Sequence, residues 1–290
     1  MIDGLALGAL PAERLAALGR PIVGLVHHPL SHETGLDPAV AARLAASERA
    51  ALAVATAVVV TSPATACVLA ADFAVPTARI TVALPGTDPR PRAMGSGAMR
   101  PGTAPSILAV GTVIPRKGHD RLVAALGGLA DRPWRLTIVG ALDRDPAAAA
   151  ALYAAIERAG IGARVDLAGA VPPARLAELY AAADVFALLS AFEGYGMAFA
   201  EALACGLPIV AGDGGAVAET VPAAAGFLVP PEDVEAARAA LARLLDDPAL
   251  RRAKADGARA AGLALPGWDA TAAIVAGVLA RVAGDAGPRR

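Results

Sequence analysis

The sequence predicts an α/β protein with two parallel sheets, each covered by helices on both faces. Three observations carry that expectation. Short apolar runs alternate with longer Ala/Leu/Arg/Glu segments of helical period along the 290-residue chain. The runs are continuously apolar, as strands buried on both faces are. The alternation breaks from Thr87 to Pro105, where Pro, Gly, Ser, Arg and Met take over and mark a linker. The expected bounds are 1–88 for a partial first Rossmann-like domain, 89–105 for the linker, 106–265 for a second Rossmann-like domain, and 266–290 for a C-terminal helix. In open parallel sheets ligands bind beyond the carboxyl ends of the strands, so chemistry is sought in the loops that follow them.

The elements follow in order. An apolar run at Ile22–Val26 precedes His27 and His28. Asp37-Pro38 opens a helix that runs to about Leu52, and Ala57–Val60 is a buried strand. Ser62-Pro63 is an N-cap and first helical position, opening the next helix. The uncharged stretch Ala50–Ala71 is thus a strand followed by a helix start rather than a membrane span. Ile80–Ala83 is the next strand, closing at Pro85-Gly86. Beyond the linker, strands are expected at Ile107–Val110, Leu136–Val139, Val165–Ala168, Val185–Leu189, Ile209–Ala211 and Phe227–Val229. Helices fill the gaps, among them Pro146–Ala159 between an Asp145 cap and Gly160. Three helical stretches finish the chain, the last from about Trp268 to Ala283. Residues before Pro21 hold one weak strand at most.

Composition narrows the function classes. A net charge of -1 offers no basic surface for nucleic acid and no polybasic tract for anionic lipid. Aromatics at 3% leave few stacking platforms for single strands. Cys67 and Cys205 stand far apart and outside any Cys/His cluster, so neither a metal site nor a disulfide framework is expected. A reduced, cytoplasmic setting fits, and the N-terminus shows no charged region followed by an apolar one. Asp143-Arg144-Asp145 has the form of an Asp-x-Asp metal motif, but Asp145-Pro146 is a helix cap, and the motif is set aside. Gly-x-Ser-x-Gly and P-loop patterns are missing, which leaves hydrolase and kinase readings without support.

The most informative stretch is FEGYGMAFAEALACGLPIVAGDGG, Phe192–Gly215. It places a glycine turn, Glu193-Gly194-Tyr195-Gly196, between a strand and the helix Met197–Ala204. Glycines let a ligand approach the backbone, and the free N–H groups near Gly196, Met197 and Ala198 form an anion site that suits phosphate. The dinucleotide fingerprint fails, because its third glycine is Phe199 here. Glu193 precedes the helix and can face a group attached beyond the phosphates. Glu201 lies more than a turn inside, where a carboxylate can accept from paired hydroxyls such as those of a ribose. A sugar, a diphosphate and a ribose in line make a nucleotide sugar. The competing reading is a Glu-rich helix start whose glycines serve only the turn. Arg116-Lys117-Gly118, at the end of the first strand of the second domain, supplies two cations that can neutralise a diphosphate; its bland counterpart is a solvated surface pair.

The Glu-x7-Glu spacing, followed by Ala-Cys-Gly-Leu-Pro-Ile-Val-Ala and by Gly-Gly with Glu219, resembles the donor signature of glycosyltransferase family 4. AVGTVIPRKGHDRLVAAL (Ala109–Leu126) resembles the diphosphate-contacting motif of that family, ITVALPGTD (Ile80–Asp88) its interdomain boundary, and VHHPL (Val26–Leu30) the histidine loop of its acceptor domain. The resemblance implies a retaining, metal-independent enzyme of the GT-B fold, with two Rossmann-like domains facing a cleft. It implies that the first domain serves the acceptor, the second the donor, and that the helix with Trp268 crosses back to the first. Glu193, His27 and Lys117 are then the catalytic candidates. Gly111, Arg116, Lys117, Val171, Gly194, Tyr195, Gly196, Met197, Ala198 and Glu201 are the donor-binding ones. Thr112 stands where the family often has arginine, so Arg116 is the candidate substitute.

No cofactor is expected beyond a UDP-, GDP- or ADP-sugar substrate. The acceptor is a glycan, a lipid-linked or a small-molecule hydroxyl, and a peripheral membrane contact is compatible with it. Compared with the family, the opening strands and glycine-rich loop of the first domain are missing, so that domain is expected to be incomplete, with an uncovered sheet edge. A non-catalytic nucleotide-sugar-binding fragment, or a GT-B epimerase or hydrolase, is the alternative.

Overall fold

The computed structural model describes residues 1–33, 35–99 and 102–285. They form two compact units, Met1–Gly86 with the segment from Pro266 onward, and Thr87–Leu265.

The first unit is built on four parallel strands, β1 (Ile2–Asp3), β2 (Val23–Val26), β3 (Ala57–Val60) and β4 (Ile80–Val82), in that spatial order. Helices α1 (Gly4–Ala9), α2 (Ala12–Ala16), α3 (Pro38–Val54) and α4 (Pro63–Asp72) connect them. Strand periodicity divides the core. Val58 and Val60 of β3 join Leu7, Leu15, Leu52, Leu69 and Phe73 on one face. Ala57 and Val59 face Val278 and Val282 of the C-terminal helix Trp268–Asp285 on the other. Strands buried on both faces carry no polar alternation, which is why Val-Val-Val is legible as a strand. The caps are as the sequence implies. Asp37 accepts from Ala39 N, and Ser62 Oγ accepts from Thr65 N at 3.0 Å, each followed by proline at the first helical position. Helix α1 was not foreseen. Its glycines disfavour a helix, and it persists through tertiary contacts: an Asp3 cap, buried Leu7, and Ser47 Oγ donating to Gly8 O at 2.6 Å.

The second unit holds six strands. They are β5 (Ser106–Val110), β6 (Arg135–Val139), β7 (Val165–Gly169), β8 (Val185–Leu188), β9 (Ile209–Gly212) and β10 (Gly226–Val229). All pairings are parallel, in the order β10-β9-β8-β5-β6-β7. Its helices are α5 (Ser96–Met99), α6 (His119–Gly127), α7 (Pro146–Ala159), α8 (Pro173–Ala182), α9 (Met197–Ala204), α10 (Val217–Thr220), α11 (Val234–Asp246) and α12 (Pro248–Leu263). One face of the sheet, with Ile107, Ala109, Val185 and Ala187, packs on α6, α7 and α11. The other, with Leu108, Phe186 and Leu188, packs on Tyr180, Phe199 and Leu203 of α8 and α9. This is a doubly wound sheet whose strand order reverses between β5 and β8, the switch point where such folds hold ligands.

The Thr87–Pro105 stretch is laced onto this unit rather than hanging free. Ala93 N donates to Cys205 O (2.8 Å) and Met94 N to Ala181 O (2.9 Å). Asp184 Oδ2 accepts from Ser96 Oγ (2.6 Å) and Ser106 N (2.8 Å).

Candidate functional site

The loops after β5 and β8 are neighbours because their strands pair, Ile107 with Val185 and Leu108 with Phe186. After β5 the chain crosses Gly111 and makes a tight turn at Pro115–Lys117. It enters α6 through Gly118, at φ +65°. A backbone bond from Ala191 N to Arg116 O (2.8 Å) ties this turn to the loop after β8. Arg116 and Lys117 are thereby delivered beside Glu193.

Glu193 is 7% exposed and is held from several directions. Its Oε1 accepts from Lys117 Nζ at 2.7 Å and from the fully buried Ser190 Oγ at 2.6 Å. Arg116 Nη1 lies 3.6 Å from Oε2 and donates to Phe192 O at 2.7 Å. The backbone is fixed as well: Glu193 N donates to Gly214 O (3.2 Å), Ala216 N donates to Glu193 O (2.8 Å), and Glu193 forms a parallel bridge with Gly215. Two cations thus stand beside one carboxylate at the carboxyl ends of β5 and β8.

Gly196 caps α9 at φ +91°, and a Cβ there would lie 2.8 Å from the Phe199 ring. Only glycine turns the chain into the helix here, bringing Met197 and Ala198, the first N–H groups of α9, to the open end of the sheet. Tyr195 is buried, and burial pushes its phenol above the ordinary value. Gly194 is part of the same turn.

Glu201 has a separate set of partners. It pairs with Arg90 Nη2 at 3.1 Å, and the Arg90 guanidinium lies 5.4 Å from the centroid of the Tyr180 ring. Burial, then the Glu201 charge, raises the Tyr180 phenol well above its ordinary value.

Gly111 donates its N–H to Val139 O (2.8 Å), and its carbonyl accepts from His119 Nε2 (3.0 Å). A Cβ on Gly111 would lie 3.2 Å from the Lys117 side chain. His119 is buried at the start of α6, and that burial lowers it to about 4, so the ring is neutral with its proton on Nε2. Val171, in the loop after β7, packs against the α8–α9 side of the core. His27 lies in the first unit, after β2, its Nε2 3.3 Å from Asp3 Oδ2. Asp145 caps α7 through Ala148 N at 3.0 Å. Among the described residues no group of three His, Cys, Asp or Glu side chains is placed to share a metal.

The profile of the glycosyl transferases group 1 family matches residues 98–261, more than half of the chain. The chain belongs to the group 1 glycosyl transferases. D-inositol 3-phosphate glycosyltransferase of Xylanimonas cellulosilytica is 38% identical to this group 1 glycosyl transferase over 148 residues, 51% of this chain and 35% of that protein. MMP alpha-(1->4)-mannosyltransferase of Mycolicibacterium hassiacum is 36% identical over 134 residues, 44% and 33% of the two chains. The group 1 chain thus spans about a third of the length of these curated relatives. Among solved structures, sucrose-phosphate synthase from Thermosynechococcus elongatus superposes with a TM-score of 0.76 at 30% identity, covering 91% of this chain and 68% of that one. Anabaena HepE in complex with UDP and glucose superposes with a TM-score of 0.79 at 23% identity, covering 93% and 74%, a likeness of fold. The fold is the GT-B type that the sequence implied.

The structure brings Arg116, Lys117 and Glu193 together in one place, and sequence reasoning missed what holds them. Ser190 was only the end of a strand, although its position three before Glu193 could have marked it. His119 is hidden because a histidine at a helix start is commonly a surface residue. Arg90 could not be found at all, since it lies 111 residues from Glu201 in sequence.

Proposed function

We propose that this group 1 glycosyl transferase is a retaining enzyme of family 4 that moves a sugar from a nucleoside diphosphate sugar to an acceptor hydroxyl without a metal. The observation that carries the reading is the Arg116–Lys117–Glu193 cluster at the switch point of the second unit. Diphosphate departure places negative charge on the leaving oxygen. Arg116 and Lys117 stand where they can stabilise it, the work a metal ion does in other transferases. Glu193, released from Lys117 as the diphosphate takes its place, accepts from the sugar hydroxyls and stabilises positive charge developing at the anomeric carbon. The Met197 and Ala198 N–H groups at the start of α9 receive the phosphate, and Glu201 accepts from the ribose. In the reaction the bond from the anomeric carbon to the diphosphate breaks. The bond to the acceptor oxygen forms on the same face, and the acceptor proton passes to the departing phosphate oxygen.

UDP, GDP or ADP serves as the carrier, and the acceptor is a glycan, lipid-linked or small-molecule hydroxyl. Thermal unfolding with UDP-, GDP- and ADP-sugars selects the donor, because a ligand bound only to the folded state raises the midpoint. NMR of the product anomer then tests the stereochemistry. An inverted anomer overturns the retaining assignment, and no shift with any donor overturns the donor site.

A further inference from the structure

The segment that enters the second unit, Thr87–Arg92, carries a side chain aimed at the far end of the proposed nucleotide site. Arg90 Nη2 holds Glu201 Oε1 at 3.1 Å, and its guanidinium stacks over the buried Tyr180 ring. The Arg90 carbonyl accepts from Arg259 Nη1 of α12 at 2.8 Å, and Arg259 also donates to Ala204 O at the end of α9. The Tyr180 hydroxyl donates to Ala198 O at 3.3 Å. Backbone, guanidinium face and guanidinium edge of Arg90 are thus each fixed by a different element, α12, α8 and α9.

A guanidinium whose plane is set by the ring and whose backbone is tied to α12 holds one carboxylate oxygen of Glu201 through a single Nη2 contact, which fixes where that oxygen lies. The Arg90 and Glu201 side chains remain 22% and 23% exposed, so the pair is not sealed from a ligand. The cation also offsets the Glu201 charge, which otherwise repels a diphosphate bound at the start of the same helix. We propose that Arg90 is a positioning residue for nucleotide recognition, fixing the Glu201 carboxylate so that it accepts from the ribose hydroxyls. The proposal rests on Glu201 being the ribose-binding group.

UDP, GDP and ADP are first titrated by calorimetry, and the tightest of the three is compared with its 2′,3′-dideoxy counterpart. Four proteins are used: the full chain, Glu201→Gln, Arg90→Met and the double variant. A hydrogen bond to a charged group sets the scale at about tenfold to hundredfold in affinity. Arg90→Met is expected to weaken the intact nucleotide on that scale and the dideoxy form by less than about threefold. The double variant is expected to bind no more weakly than Glu201→Gln, because both changes remove one contact. Arg90→Lys keeps the charge but not the planar group over the Tyr180 ring. It is expected to fall between the full chain and Arg90→Met, and it carries the test if Arg90→Met does not fold. Equal loss for both nucleotides, or additive losses in the double variant, overturns the positioning role while Glu201→Gln still discriminates. If Glu201→Gln itself weakens both forms alike, or if none of the three nucleotides binds, the ribose reading falls and the Arg90 role falls with it.

Discussion

His119→Gln should flatten the acid dependence of the second unit's stability. In the fold His119 is buried and neutral, and it donates from Nε2 to Gly111 O. Desolvation is the largest cause of its lowered value, opposed by the Gly111 bond and reinforced by the nearby Lys117 charge. The unfolded chain takes up this proton near 6.5, the folded chain only near 4. Between those values the unfolded state binds more protons, so stability is full above about pH 7 and falls as the pH drops. The interval at about 1.4 kcal/mol per pH unit amounts to about 3 kcal/mol, most of it lost by about pH 4.5. Glutamine places a donor where Nε2 stands and does not titrate. Urea unfolding is followed by fluorescence of Trp134, buried in the second unit, with Trp268→Phe in both proteins so that the remaining tryptophan reports that unit alone. The stability difference between the two proteins should change by about 3 kcal/mol from about pH 7.5 to about pH 4. Parallel curves across that range would refute the buried, neutral histidine.

Three further outcomes test the site and its scaffold. Lys117→Ala should cost roughly 2–5 kcal/mol in affinity for UDP, GDP or ADP and almost nothing for the free nucleoside, by calorimetry; equal losses make Lys117 structural. Ser190→Ala removes the 2.6 Å bond to Glu193 and should lower kcat by about tenfold or more with the donor KM nearly unchanged. A change confined to KM removes Ser190 from the machinery. Gly215→Ala, at φ +66° with its Cβ 2.3 Å from Glu193 O, should destabilise the second unit by about 1–3 kcal/mol in the Trp134 urea titration, and an unchanged midpoint refutes the strain.

The second unit was legible in the sequence almost strand by strand. A doubly wound sheet writes itself as continuous apolar runs, and the Asp145 cap announced the helix that follows it; the Asp233 and Asp247 caps of α11 and α12 emerged only in the fold. The end of the first strand and the glycine turn also gave the cations and Glu193, because ligand-binding loops follow strands in a fixed way. The remainder depends on chain pairs no local pattern encodes. Arg90 reaches Glu201, and Asp184 gathers Ser96 and Ser106. The α1 segment was illegible for the opposite reason: its local propensity points away from the helix that tertiary contacts impose.

If the proposed donor site is right, the Lys117–Glu193 pair makes it a coincidence detector. Each group already satisfies the other, so a ligand enters at little cost only if it replaces both partners at once. Inorganic phosphate or chloride can satisfy Lys117, but it leaves Glu193, still held by Ser190, facing an anion without the Lys117 donor between them. A free sugar can satisfy Glu193, but it leaves Lys117 without a counter-charge. A sugar joined to a diphosphate supplies hydroxyl donors and negative charge side by side. Under the proposed reaction the same accounting would act after transfer, when the diphosphate remains and the hydroxyls have gone. In the proposed reaction Glu193 then competes with the product for Lys117, and closure of the ion pair would help to expel it.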